Sequence, residues 1–181
     1  SMAVSAITLS LASLACADTF VVDPNGGGDY LSVVSAAQWA PEGSTVLVTA
    51  GRYEGAVLLD NRSLTIQAME GAQVKLVPAF GGLAVPVVTI TNTSDVTLRG
   101  LTIEEGVHGG VSISNASAVL DGCSISNTGR SCVHIDRACE LVQILECDIG
   151  PNAGAGVAIS NQASGVTQIT GGRIHGNEWG N

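Results

Sequence analysis

The chain has 181 residues, of which 45% are hydrophobic and only 3% aromatic, and it contains 23 glycines. This length is typical of one domain and is ample for a continuous core. Sixteen Asp and Glu residues outnumber seven Lys and Arg residues, which gives a net charge of −9. Because nucleic acids and anionic membrane surfaces are bound by clustered Lys and Arg, this balance argues against both partners.

An apolar segment, residues 1–17, opens the chain and ends in Ala15-Cys16-Ala17, which resembles a signal cleavage site. It lacks the Lys or Arg with which a secretory signal usually begins, and it is too short to span a membrane. Two interpretations stay open: a cleaved signal, or a segment that covers the first turn of the fold, which we favour. The signal-like pattern is compatible with secretion, whereas the odd count of five cysteines leans towards an intracellular protein.

Short predicted elements follow this segment. Thr19 to Asp23 has the composition of a strand, and Tyr30 to Trp39 predicts a short helix that Pro41 ends. Runs of Val, Leu and Ile predict further strands at 46–48, 57–59, 64–66 and 74–76. We expect Trp39 to anchor the helix on the core, and stacking on a sugar ring is the alternative for Trp39 and Tyr53.

The second half of the chain carries a repeat with a period in the low twenties. Isoleucines recur at intervals of 22, 24 and 25 residues, and each of the first three is followed ten residues later by another: Ile103, Ile125, Ile149 and Ile174, then Ile113, Ile135 and Ile159. Each lies in a triplet that alternates apolar, variable and apolar, so that the middle side chain points outward. The repeat predicts an all-β solenoid whose turns stack with isoleucine over isoleucine.

The spacing also predicts which side of the coil varies. The ten-residue step is constant, whereas the return step grows from 12 to 14 to 15 residues. We therefore expect one tight corner and one side that absorbs insertions, which in solenoids is often the binding side. Cys123 and Cys147 hold the same inward position on successive turns and are expected to stack in the core, with a disulfide as the alternative.

Two stretches of the chain resemble known families. The Gly51-x-Tyr53-Glu54 turn, after a Gly-Asp-Tyr loop and a short helix, resembles the N-terminal part of pectin methylesterases. The cadence of residues 156–161 and 171–177 is similar to the CASH repeats of pectin-lyase-like proteins, to the β-helix region of F-box-only proteins and to NosD-like copper-maturation proteins. The resemblance implies a right-handed single-stranded parallel β-helix over residues 18–181 with a short N-terminal capping helix. These repeats occur in lyases, esterases, epimerases and glycan binders alike, so no single reaction is implied.

The candidate catalytic residues lie at one corner of the repeat. Glu104, Glu105 and His108 share a turn, and Arg130 holds the position of His108 on the next turn. Together they are candidates for acid–base work, since such sites divide the two roles between neighbouring groups. A solvated corner is the alternative. We expect no cofactor or metal site, and calcium is implied only if the protein is a β-helix enzyme.

The candidate binding residues are outward side chains of the repeat. His134 and Asp136 lie on one strand face, and Asp148 lies beside Arg173 on the next turn. Each pair has a simpler interpretation as exposed charge, and a surface salt bridge is worth about 0–1 kcal/mol. Equivalent asparagines, Asn115 and Asn161, predict a side-chain ladder at a corner, which Arg137 interrupts.

The sequence favours a non-catalytic recognition or scaffold module that presents an elongated face to a glycan or protein partner. The alternatives are an enzyme acting on an acidic polysaccharide, as lyase, esterase or epimerase, and a structural subunit of a larger assembly. Since the cadence stops in mid-turn at Asn181, we expect the C-terminal end of the coil to be continued or covered by another chain.

Overall fold

The computed structural model describes residues 17–80 and 84–180, so the interpretation of the N-terminal apolar segment falls almost wholly outside the described residues. The described chain is a right-handed parallel β-solenoid of about six turns with one short helix, which confirms the predicted fold. Its elements are β1 Thr19–Val22, α1 Val33–Trp39, β2 Thr45–Val48, β3 Gly51–Glu54, β4 Val57–Asp60, β5 Thr65–Ala68, β6 Val74–Val77, β7 Val88–Arg99, β8 Thr102–Glu104, β9 Val111–Asp121, β10 Ser124–Ser126, β11 Val133–Asp136, β12 Ala138–Leu145, β13 Asp148–Ile149, β14 Val157–Ile159, β15 Ser164–Thr170 and β16 Arg173–Ile174.

Each complete turn contributes strands to three faces, and every strand pairs in parallel with its equivalents one turn away. The first face holds β1, β2, β5, the C-terminal parts of β7 and β9, β12 and β15. The second face is the six-stranded sheet of β3, β6, β8, β10, β13 and β16. The third face holds β4, the N-terminal parts of β7 and β9, β11 and β14. Ladder bonds between turns thus satisfy the backbone polar groups of the inner strands.

The isoleucines stack as predicted. Ile125 pairs with Ile103 below and Ile149 above on the second face, and Ile135 lies between Ile113 and Ile159 on the third. Apart from Ile159, these isoleucines are fully buried, and the coil interior is one continuous apolar stack. Register between successive turns therefore determines which outward side chains become neighbours.

Each repeat holds one strand more than its two isoleucine triplets predict, because the return step contains a third strand. Its inward residue lies five positions before the second-face isoleucine in each turn, at Leu98, Leu120, Ile144 and Ile169. The constant ten-residue step is not a tight corner either, since it holds the loops 105–110, 127–132 and 150–156. All the added length falls between the third and first faces, at residues 114–117, 136–141 and 160–165, which we call the insertion-bearing corner.

The helix α1 lies against the first turns of the coil. The hydroxyl of Ser32 accepts a hydrogen bond from the backbone N–H of Ser35 at 3.0 Å, which begins the helix, and the extended Ala40 before the proline ends it. Its buried residues are Val33, Ala36 and Ala37, and Trp39 falls outside that stripe with 68% of its surface exposed. The expectation that Trp39 anchors the helix is therefore wrong.

Tyr53 is unavailable to a sugar, because it is buried and its hydroxyl donates to the carbonyl oxygen of Thr49 at 3.0 Å. Cys123 and Cys147 are free and buried one turn apart, as expected for stacked core residues. Their mutual hydrogen bond, together with burial, raises the pKa of the Cys123 thiol well above its usual range. Two further buried thiols, Cys132 and Cys139, complete the set in the described chain.

Candidate functional site

The outward residues of the second face form one vertical column of polar side chains. It runs through Arg52, Lys75, Thr102, Ser124, Asp148 and Arg173. The structure pairs Arg173 with Asp148 at 2.8 Å, and His175 adds its Nε2 to the same carboxylate at 3.0 Å. Hydrogen bonding by Arg173 holds the pKa of Asp148 below its usual range. This closed, largely exposed cluster leaves little charge for a ligand.

The two candidate glutamates are also held by cations of this column. Both Oε atoms of Glu105 accept hydrogen bonds from Arg52, at 3.0 and 2.9 Å, and Glu104 pairs with Lys75. The Arg52 guanidinium holds the pKa of Glu105 below its usual range. Because both carboxylates reach back to earlier turns, they do not form one cluster with His108 and Arg130, and the predicted four-residue corner is split.

His108 and Arg130 instead meet His134 in a groove of about 610 Å³ on the outer side of the third face. Its polar and aromatic lining includes His108, Ser112, Arg130, Ser131, His134 and Trp179. We call this the basic groove. His134 comes from the third face, where it lies between Ser112 and Ala158, and His108 and Arg130 come from the adjoining loops.

Close backbone contact between the loops places these side chains. A Cβ on Gly129 would lie 2.5 Å from the carbonyl oxygen of Val107, and one on Gly154 would overlap the carbonyl group of Arg130. The loops of three successive turns therefore stack without side chains between them. As a result, His108 and Arg130 occupy equivalent points along one edge of the third face.

The charge of the basic groove is opposite to that of the whole chain. Six of the seven Lys and Arg side chains have a carboxylate partner, namely Arg52, Arg62, Lys75, Arg99, Arg137 and Arg173. Within the described ranges Arg130 makes no ion pair or side-chain hydrogen bond, and no Asp or Glu lines the groove. An unpaired guanidinium can donate two parallel hydrogen bonds to an anion, and two imidazoles lie in the same groove.

His134 and Asp136, which the sequence places on one strand face, share no hydrogen bond or ion pair in the described part of the chain. The carboxylate of Asp136 lies 3.6 Å from Nε of Arg137, and hydrogen bonding from Ser160 chiefly lowers the pKa of Asp136. Among the described residues, His134 thus has no hydrogen-bonded carboxylate of the kind that orients a catalytic base. It contributes to the basic groove, whereas Asp136 does not line it.

A second groove, of about 550 Å³, follows the insertion-bearing corner. Its lining includes Asn61, Ser63, Asn92, Thr93, Asn115 and Ser117, and we call it the asparagine groove. A side-chain ladder runs along it: Asn115 donates to Asn92 at 2.9 Å, and Asn92 donates to Asp60 at 2.8 Å. The predicted ladder therefore exists but runs from Asn115 towards the N-terminus. It does not reach Asn161, because Arg137 takes the left-handed corner position on the next turn, with φ of 58°.

Sequence reasoning missed the basic groove as a unit and missed Trp179 altogether. The sequence does contain an indication of this groove. Ser112 follows His108 by four residues, and His134 follows Arg130 by the same distance. Among the described side chains, no three His, Cys, Asp or Glu come together in a way that could hold a metal ion. The helix of the described chain is too short to cross a membrane.

Comparison with known proteins agrees with this architecture. The family described as "Right handed beta helix region" matches residues 49–180, which run from the second turn to the last described one. No curated protein sequence matches the chain. Since the match covers well over half of the sequence and coincides with the stacked turns, the chain belongs to the right-handed β-helix family.

Proposed function

We propose that the protein is a non-catalytic recognition module that binds an acidic glycan in the basic groove. The observation that carries this proposal is Arg130, a guanidinium without a carboxylate partner among the described residues, in a groove that two histidines also line. The family supports the carbohydrate part of the proposal, since β-helix domains are often carbohydrate-related.

The groove offers both kinds of contact that an acidic sugar needs. A guanidinium binds a carboxylate or sulfate through two parallel N–H···O bonds. Trp179 is 75% exposed and forms part of the lining, where an indole ring can pack on the apolar face of a pyranose. Because the chain carries a net charge of −9, which disfavours an anionic ligand elsewhere on its surface, the unpaired Arg130 makes this groove the favoured place for such a ligand.

The distribution of carboxylates supports binding without glycoside hydrolysis. Glycoside hydrolysis uses a pair of carboxyl groups on either side of the scissile bond. The basic groove has none among its described lining residues, and Glu104 and Glu105 are held by Lys75 and Arg52 on another face. A ligand in the groove therefore meets an anion-binding set but not the pair of carboxyl groups that glycoside hydrolysis uses.

Isothermal titration with trigalacturonate tests the proposal, with its fully methyl-esterified form as the neutral control ligand. We expect Arg130→Gln to weaken binding about tenfold or more, because a hydrogen bond to a charged group is worth about 1.5–3 kcal/mol. Arg99→Gln removes the same charge from the first face and should leave affinity unchanged. Equal binding by Arg130→Gln, equal binding of the ester, or no binding of either trigalacturonate or a sulfated disaccharide would refute the proposal.

The same samples test the enzyme alternative through released methanol, new reducing ends or unsaturated products. We expect no turnover by the wild type or by a Glu104→Gln/Glu105→Gln variant, and equal binding by both. Turnover by the wild type that this double substitution abolishes, with the fold intact by circular dichroism, would replace the binding proposal with an enzyme.

A further inference from the structure

The asparagine groove carries hydrogen-bonding groups that repeat along the coil axis. Asn92 and Asn115 each donate one N–H within the ladder, and the side-chain oxygen of Asn92 also accepts one hydrogen bond. A primary amide has two N–H donors and two acceptor lone pairs, so each side chain keeps one donor and at least one acceptor position. Both side chains are exposed at the groove, where these positions face solvent.

Hydroxyl groups line the same groove in fixed positions. The hydroxyls of Ser63 and Thr93, on adjacent turns, are 3.2 Å apart, and Thr93 also donates to the carbonyl oxygen of Arg62 at 3.0 Å. The Ser117 hydroxyl accepts a hydrogen bond from the backbone N–H of Leu141 at 3.3 Å. Because these contacts hold the groups before any ligand arrives, binding costs little ordering of side chains.

The charge of this groove differs from that of the basic groove. Its described lining contains no Lys, Arg or His, and its two charged residues are Glu42 and Glu140. Both glutamates are exposed, but Glu42 is paired with Arg62 at 3.0 Å, which leaves Glu140 as the one of the two without an ion pair to a described residue. An anionic ligand is disfavoured here, whereas a neutral ligand rich in hydroxyl groups meets complementary donors and acceptors.

The dimensions of the groove suit a short chain of sugars. Asn61, Asn92 and Asn115 lie on three successive turns, and stacked strands are about 4.8 Å apart, so the asparagines span roughly 10 Å. Ala138 and Glu140 come from the lengthened corner of the next turn and line one end, and Glu42 lies at the other. A chain that runs parallel to the coil axis would thus meet one amide with each turn.

We propose that the asparagine groove is a second carbohydrate site, separate from the basic groove, and that it binds a short neutral oligosaccharide along the coil axis. The groove lies at the insertion-bearing corner, the side on which solenoids often place their binding surfaces. Neutral ligand chemistry distinguishes it from the basic groove, so the two sites are tested independently.

The test uses nuclear magnetic resonance with three neutral probes, the trisaccharides of β-1,4-linked glucose, mannose and N-acetylglucosamine. We expect at least one, at millimolar concentration, to shift the amide signals of residues 61–63, 92–94 and 115–117. Asn115→Gly keeps the left-handed backbone, φ 51°, but removes the amide, and should weaken binding fivefold or more. Asn127→Gly makes the same change at φ 52° outside the groove and should bind like the wild type, as should Arg130→Gln.

Three outcomes would overturn this proposal: no shift with any of the three probes, shifts confined to the basic groove, or equal binding by the two glycine variants. If Asn115→Gly does not fold, Ser117→Ala supplies the comparison, since it removes a groove hydroxyl from a half-buried position. Equal binding by that variant and the wild type would count in the same way.

Discussion

Truncation of Ile135 to alanine measures how much the vertical stack stabilises the coil. The side chain is fully buried between Ile113 and Ile159, and ladder bonds on both sides fix its strand. The change deletes about three carbon groups at about 0.8 kcal/mol each, or roughly 2.4 kcal/mol of transfer free energy. Because the neighbouring turns cannot close the cavity, we expect a total loss of about 3–4 kcal/mol, within the usual range for buried aliphatic residues.

Ile159 supplies a matched control, since it is the next rung of the same stack but is 55% exposed. Ile159→Ala should cost only about 1 kcal/mol, because over half of its surface already contacts water and no closed cavity forms. Urea unfolding followed by circular dichroism gives both values, provided that each transition is cooperative. If Ile135→Ala costs no more than Ile159→Ala, the stacking of turns in this register is refuted.

Three further predictions concern the loops, an ion pair and the basic groove. Gly154→Ala should lower the unfolding free energy by about 1–3 kcal/mol, because its Cβ meets the Arg130 carbonyl; Gly51→Ala, whose Cβ would lie 3.5 Å or more from its nearest neighbours, should cost less in the same urea experiment. Asp148→Asn should destabilise the protein at pH 7, and this effect should shrink as the pH falls below 3.8. The folded-state pKa of Asp148 is lowered, so its ion pair stabilises fully above the ordinary value of 3.8 and is lost as the pH falls through the lower folded-state value; thermal unfolding measured over a series of decreasing pH values tests this. Trp39→Phe leaves one tryptophan, in the basic groove, and saturating trigalacturonate should change its fluorescence; an unchanged spectrum would contradict that location.

Much of the fold was predictable because burial repeats in the sequence. Ile103, Ile125 and Ile149 each sit in an alternating triplet, and the coil places them in one stack. The repeat of isoleucines does not predict the third strand, because the inward residue of that strand is Leu in some turns and Ile in others. Its distance from the following second-face isoleucine is nevertheless constant at five residues. Trp39 was misplaced for a different reason: residue type favoured burial, but helical spacing put the apolar stripe elsewhere.

The grooves were less predictable than the strands. Residues such as His108 and Arg130 lie in loops, whose shape depends on backbone contacts at glycine rather than on periodicity. His108 and Glu105 are close in the sequence, which places them in one candidate site. In the fold, Glu105 instead binds Arg52, which lies 53 residues earlier in the chain, because a carboxylate pairs with a cation that its turn can reach. The register of the repeat therefore predicts the columns of outward residues, whereas the loop residues beside each column can be identified only from the structure.

The four buried cysteines allow the opening of individual turns to be measured by thiol modification. All of them lie from Cys123 onward, and residues 17–122 contain none. A thiol reagent reaches such a sulfur only when the surrounding turn opens, so the modification rate of each cysteine reports the opening free energy of its own turn. Mass spectrometry of the labelled protein would then show whether the later turns separate one after another or detach from the earlier turns as a block.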